Sequence, residues 1–353
     1  MLAKKTLALS LLLFLLTVMT SVVLAQNVTI TPLGAVAGEF CAGDRALLFE
    51  DPTGVRVLIA PGRTVGLDTG AFVRGSADPR LHGSVHVLLI DHPHVDHIGD
   101  VFHTTCAGAP TRPFEFPSES NAAEIAARLN AAVLVGGEMP DFFTRKISNV
   151  ATLAGTPQPV GCPADNNLDN TFTVPRAAPC VGVIRGGTRT ARIGNNPGVK
   201  ITTIPAFHAA GASRIHVDAP NVPVGLTGYA GQETGYIIRF TNGLTVLWTG
   251  DSGLIGDWET QSRFYRPNLA VVHGGDLFTM GPDEAAFAVN QLIKPRSVIP
   301  EHFNQVSTTG GKVNAGTKVE RFIEQLKAQG STRVFVPLSG VPISCDGAGN
   351  CSQ

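Results

Sequence analysis

The sequence predicts an α/β protein in which two β-sheets pack face to face with helices on the outer faces. Three observations point there. Short apolar, β-branched runs recur along the chain, helical patterns alternate with them, and Gly, Pro, Asn and Asp mark the joints. Of 353 residues, 43% are hydrophobic and 16% charged, with 27 Lys and Arg against 28 Asp and Glu, which excludes a disordered chain and a polybasic nucleic-acid binder. No fixed-period repeat is visible, so a solenoid or propeller is not expected.

Residues 1–25 stand apart from the fold. Lys4 and Lys5 precede an uncharged apolar run that ends Val23-Leu24-Ala25, the three parts of a secretory signal peptide. Cleavage would start the mature domain, residues 26–353, at Gln26 and deliver it to the periplasm or the extracellular space. A retained membrane anchor is the alternative. Export makes disulfides the better reading of the six cysteines, none of which shows a metal-ligand spacing. Proximity pairs Cys162 with Cys180 and Cys345 with Cys351, leaving Cys41 for Cys106.

The mature chain opens with strands at 28–32, 46–50 and 55–59, the last two joined by the turn Asp51-Pro52-Thr53-Gly54. SVHVLLI, at 84–90, reads as a fully buried strand. A helix follows over 118–130, with Ser118 and Asn121 as candidate caps, and then the strand-like AAVLVGG. Pro, Asn, Gly and Thr dominate residues 139–198, which are expected to form an irregular insertion. Alternation then resumes. Strands are expected at 200–205, 235–240, 244–248, 269–272, 297–300 and 333–337, with helices at 282–293, started by Pro282, and at 319–328.

The strongest chemical signal is His92-x-His94-x-Asp96-His97. Four metal-ligand side chains within one turn after a buried strand are what a first-row metal site needs. The remaining ligands are sought at other strand ends: His208 after VKITTIPAF, Asp251 after TVLWTG and His302 after SVIPE.

That order, HxHxDH, then His at a strand end, then GDSG, then PxH, resembles the metallo-β-lactamase-fold hydrolases. The stretches LWTGDSGLIGDW and LFTMGPDEAAFAVNQLIKPRSVIPEHF look most like the branch containing L-ascorbate-6-phosphate lactonase. The resemblance implies an αββα sandwich and two divalent metal ions, zinc first and manganese or iron as alternatives. It implies that His92, His94 and His208 hold one ion, that Asp96, His97 and His302 hold the other, and that Asp251 bridges them. A hydroxide between the ions would then be the nucleophile, with Asp96 and Asp251 as the catalytic carboxylates. Asp68, in Gly66-Leu67-Asp68-Thr69-Gly70, fits the slot of a supporting carboxylate. Phe303 stands where that branch commonly has Tyr, so Tyr229 is the candidate replacement donor to substrate. His273, ending a strand aimed at the site, is a second candidate for substrate or metal-shell contact. His82, His86, His103 and His216 fit no ligand slot.

The expected function is secreted, metal-dependent cleavage of an ester or lactone bond in a small molecule. A β-lactam or phosphodiester hydrolase of the same fold and a non-catalytic metal-binding protein are the alternatives. Only scattered Arg such as Arg214 and Arg263 are foreseen near the ligands, which disfavours phosphodiesters. Gly250-Asp251-Ser252-Gly253 also resembles the nucleophile loop of trypsin-like proteases, but that reading leaves HxHxDH unexplained.

Overall fold

The computed structural model describes residues 26–65, 79–81, 84–100, 102–107, 120–163, 170–209, 211–213 and 227–353. The expected signal peptide (1–25), Asp68, His82, Ser118, Arg214 and His216 lie outside them. No helix among the described residues is long and apolar enough to cross a membrane.

Strands Arg56–Ile59, Val87–Ile90, Ala132–Val135 and Cys180–Val183 run parallel through the middle of a nine-stranded sheet. Antiparallel strands Leu47–Glu50, Val28–Pro32 and Ile343–Cys345 extend it on one side. A second, eight-stranded sheet contains Val199–Pro205, Thr234–Arg239, Thr245–Trp248, Leu269–His273 and Ser297–Glu301 as successive neighbours. Side chains alternate across each strand, and the burial follows that period of two. Val87 and Leu89 face inward with Ile59, Ile238, Trp248 and Val271 to form the layer between the sheets. Leu88 and Ile90 face outward, against Ala122, Ala126, Phe143 and Ile147 of helices Asn121–Leu129 and Pro140–Ala154. On the other outer face Leu247, Ala270 and Val298 pack against Trp258, Val289, Phe322 and Leu326. The result is the expected helix-sheet-sheet-helix sandwich.

Several elements differ in detail. Residues 139–198, expected to be irregular, contain helix Pro140–Ala154 and strands of both sheets, among them Thr171–Val174, Cys180–Val183 and Thr188–Ile193. Pro140 sits where a helix needs no N–H, and Gly155 closes the helix in the left-handed region, so the residues that read as breakers are its ends. Ser120 is the cap of helix Asn121–Leu129, accepting from the Ala123 N–H. Helix Asp257–Tyr265 was not foreseen, and the helix from Pro282 to Phe287 continues as a wider π-helical turn, Ala288–Ile293. All three expected disulfides form: Cys41–Cys106, Cys162–Cys180 and Cys345–Cys351.

Candidate metal centre

Val199–Pro205, Thr245–Trp248, Leu269–His273 and Ser297–Glu301 all run in one direction, so their C-terminal ends meet along one edge of the second sheet. Val87–Ile90 of the first sheet ends against the same place. Carboxyl ends of strands in open α/β sheets are where ligand sites collect, because the loops that leave them are free of the core.

Asp91 is the first residue past Val87–Ile90 and is fully buried. Its Oδ1 accepts from the His92 N–H at 2.9 Å and lies 3.1 Å from His92 Nδ1 and 3.0 Å from His97 Nδ1. Its Oδ2 accepts from Trp248 Nε1 at 3.1 Å, which ties the turn to the second sheet. One carboxylate thus orients two imidazoles, with His92 Nε2 and His97 Nε2 left buried and without a hydrogen-bond partner. A short helix, Val95–Ile98, carries Asp96 and His97. Its Asp96 carbonyl packs on Gly62, where a Cβ would lie 2.4 Å away, so only glycine fits.

The structure brings every expected ligand together. His92, His94 and His208 form one group and Asp96, His97, Asp251 and His302 another, each with donor atoms within 4.8 Å of one another. His208 Nε2 is 3.3 Å from His94 Nδ1. Asp251 Oδ2 lies 3.0 Å from His302 Nε2, 3.2 Å from His97 Nε2 and 3.9 Å from His92 Nε2, between the two groups. His302 Nε2 is also 3.2 Å from Asp96 Oδ2. His302 has φ +54°, and Gly275 lacks the Cβ that would otherwise lie 2.2 Å from its carbonyl oxygen.

Electrostatics match a cation-binding set. Burial disfavours charge on Asp91, Asp96 and Asp251, yet the neighbouring histidines outweigh it and hold all three well below the usual carboxylate range. Against burial, the carboxylates raise His97 and His302. Burial and nearby imidazoles push His94 down to about 3 and His208 to about 4, leaving both neutral, as metal ligands must be. Orphaned imidazole nitrogens facing ionised, buried carboxylates fit divalent cations.

His273 is fully buried, with Nδ1 3.1 Å from Asp251 Oδ1, so it supports that carboxylate from behind and does not reach the cavity. Tyr229 is 78% exposed and is not among the residues lining the cavity. The Ser252 hydroxyl is buried, accepts from the Phe207 N–H at 3.0 Å and donates to the Gly253 carbonyl at 2.8 Å; it holds the loop together instead of facing substrate. Phe303 is buried against Phe322.

The sequence reading missed three partners. Asp91 adjoins the motif it orients. Glu233 Oε1 lies 3.4 Å from His92 Nδ1; burial and the charges of Asp251 and Asp91 push it up to about 10, so it keeps its proton. Arg45, also buried, sets Nε 3.5 Å from Asp96 Oδ2 and donates from Nη2 to Asn304 Oδ1 at 2.6 Å. Nothing local marks Glu233 or Arg45, since the folded chain alone brings them to the site.

Above the ligands opens a cavity of about 630 Å³, whose wall includes Arg45, Arg63, His103, Asn304 and Lys318 as well as His94, Asp96, His208, Asp251 and His302. Three cations therefore approach the site where scattered Arg alone had been expected. Each is engaged: Arg45 as above, Arg63 with Asp100, and Lys318 with the Gly275 carbonyl and Asp276. Asp96 keeps 30% of its side chain exposed in contrast to 3% for Asp251.

A family profile described as "Beta-lactamase superfamily domain" matches residues 146–303. The chain is 28% identical over 269 residues to a "UPF0173 metal-dependent hydrolase" of Polynucleobacter asymbioticus, covering 76% of this chain and 75% of that one. A "UPF0173 metal-dependent hydrolase" of Pelotomaculum thermopropionicum is 30% identical over 218 residues, 62% of this chain and 67% of its own length. The fold is similar to that of a metallo hydrolase from the archaeon Ignicoccus hospitalis, with a TM-score of 0.53, 21% identity and coverage of 91% of this chain and 99% of that one. At 30% identity to a relative that it covers over two thirds of its length, the chain belongs to the UPF0173 metal-dependent hydrolases of the metallo-β-lactamase superfamily.

Proposed function

We propose that this metal-dependent hydrolase is an exported enzyme that holds two divalent ions and cleaves an ester or lactone bond of a small molecule. The observation that carries the reading is Asp251 Oδ2, set between two ligand groups at the base of an open cavity. His92, His94 and His208 would hold one ion, Asp96, His97 and His302 the other, with Asp251 shared. The His-rich set suits zinc, with manganese or iron as alternatives. Bound there, such ions supply Lewis acidity and lower the pKa of water.

The chain supplies the rest. Asp91 keeps His92 and His97 aimed, and Asp96, the more exposed carboxylate, would orient the attacking water or accept its proton. Asn304 gives its Oδ1 to Arg45, which can only donate; its Nδ2 has no partner among the described residues and is a donor for the substrate carbonyl or the leaving oxygen. It stands beside Phe303, which has no hydroxyl to offer. The lactonase-like stretches around Asp251 and His302 favour a carboxylic ester or lactone. Arg45, Arg63 and Lys318 keep a phosphodiester as the second reading. Three disulfides support export.

Metal analysis of the purified protein, combined with a panel of esters, lactones, β-lactams and phosphodiesters, tests the reading. Turnover should disappear on chelation and in Asp251→Ala and His94→Ala. Undiminished turnover in both variants would refute it, and metal-dependent folding without turnover of any substrate would favour a structural metal.

A further inference from the structure

We propose that Leu277 and Phe278 seat an apolar acyl chain, so that the substrate is an ester or lactone of a medium- or long-chain carboxylic acid; the type of bond rests on the reading above. Both residues line the cavity that holds His94, His208 and Asp251. Leu277 is 89% and Phe278 56% exposed. Single exposed apolar side chains are ordinary, but adjoining ones continuous with a ligand cavity mark a binding surface.

The backbone gives a second, independent observation. Asp276 and Leu277 have φ of +60° and +62°, the left-handed region that Leu enters only at a cost. The turn is nonetheless firmly built. The Gly275 N–H donates to Thr279 Oγ1 at 2.7 Å, Phe278 N–H to the Asp276 carbonyl at 2.7 Å and Asp276 N–H to the Met280 carbonyl at 3.1 Å. The Met280 N–H in turn donates to the carbonyl of Ser252, the residue after Asp251, at 3.0 Å. A strained leucine that packs on almost nothing is therefore held rigidly at the mouth of the site. Arg45, Arg63 and Lys318 are each engaged by chain partners, whereas the Leu277 and Phe278 side chains stay exposed.

The test compares 4-nitrophenyl acetate with 4-nitrophenyl octanoate on the metal-loaded protein, and calorimetric binding of acetate with that of octanoate. Octanoate should exceed acetate by about tenfold or more in kcat/KM and in affinity. Leu277→Asn, which tolerates the left-handed backbone, and Phe278→Ser should each cut that ratio by about threefold or more. Phe264→Ser, an exposed ring on a different cavity, should keep it. A ratio near one in the wild type, or an unchanged ratio in both variants, overturns the proposal. So does a change of oligomeric state in Leu277→Asn with the ratio intact, which would make the patch a self-association surface. Chain-dependent binding with no ester or lactone turned over would retire the bond assignment and leave the acyl seat standing.

Discussion

The first sheet delivers His92, His94, Asp96 and His97 from one short stretch behind a single strand, whereas the second delivers His208, Asp251 and His302 from three separate strand ends. The local group can be shaped by its own turn, with Asp91 inside it as the orienting carboxylate. The distributed group depends on register. Thr245–Trp248 pairs with Leu269–His273, and that strand with Ser297–Glu301; a slip of one residue at either pairing would turn a side chain to the opposite face. The two halves meet through Trp248 Nε1 on Asp91 and through the Tyr236 hydroxyl, which donates to the Ile90 carbonyl at 2.6 Å. Each half is incomplete until the sheets have packed.

Breaking the distributed half should have the largest effect. Asp251→Ala removes the carboxylate that touches both groups and should lower turnover more than about a hundredfold, beyond the loss typical of an outer partner. On the two-ion reading proposed above, metal analysis should show both ions weakened, whereas His94→Ala should weaken chiefly one. Equal metal loss in the two variants would remove the bridging role. In the local half, Asp91→Asn disturbs two imidazoles at once and should weaken metal binding about 10- to 100-fold, measured by chelator competition. Wild-type affinity would mean that His92 and His97 hold their orientation without it.

The join between the halves offers a smaller effect. Tyr236→Phe leaves the buried Ile90 carbonyl without its donor and should cost about 1–3 kcal/mol in denaturant unfolding, with metal stoichiometry retained. A change of similar size concerns the loop before Arg45. Burial pushes Asp44 up from 3.8 to about 6, although it accepts from the Cys41 and Ala35 N–H groups. Between those values the folded chain binds more protons than the unfolded one, so this group lowers stability as pH rises from 3.8 to about 6 and then levels off. Asp44→Asn should lose that slope; an identical pH dependence in wild type and variant would show that Asp44 does not set it.

Much of the distributed half was legible because each ligand follows a β-branched apolar run, and a strand that ends there must release its next residue at the sheet edge. His273 was legible only as a strand end; its place behind Asp251 depends on the parallel neighbour. Helix Pro140–Ala154 was hidden for a different reason. Its apolar positions Phe143, Ile147, Val150 and Ala151 have helical spacing, but the flanking Pro and Gly were read as loop residues when they act as first residue and cap.

The sequence by itself determined the sandwich and the seven candidate ligands, because hydrophobic period and donor chemistry are written locally, whereas proximity only suggested the disulfide pairs that the structure forms. Only the tertiary structure decided that Asp91 aims two histidines, that Glu233 and Arg45 reach the centre, and that Leu277 and Phe278 stand over the cavity. Those placements depend on how two twisted sheets pack, and packing joins residues that no window along the chain contains.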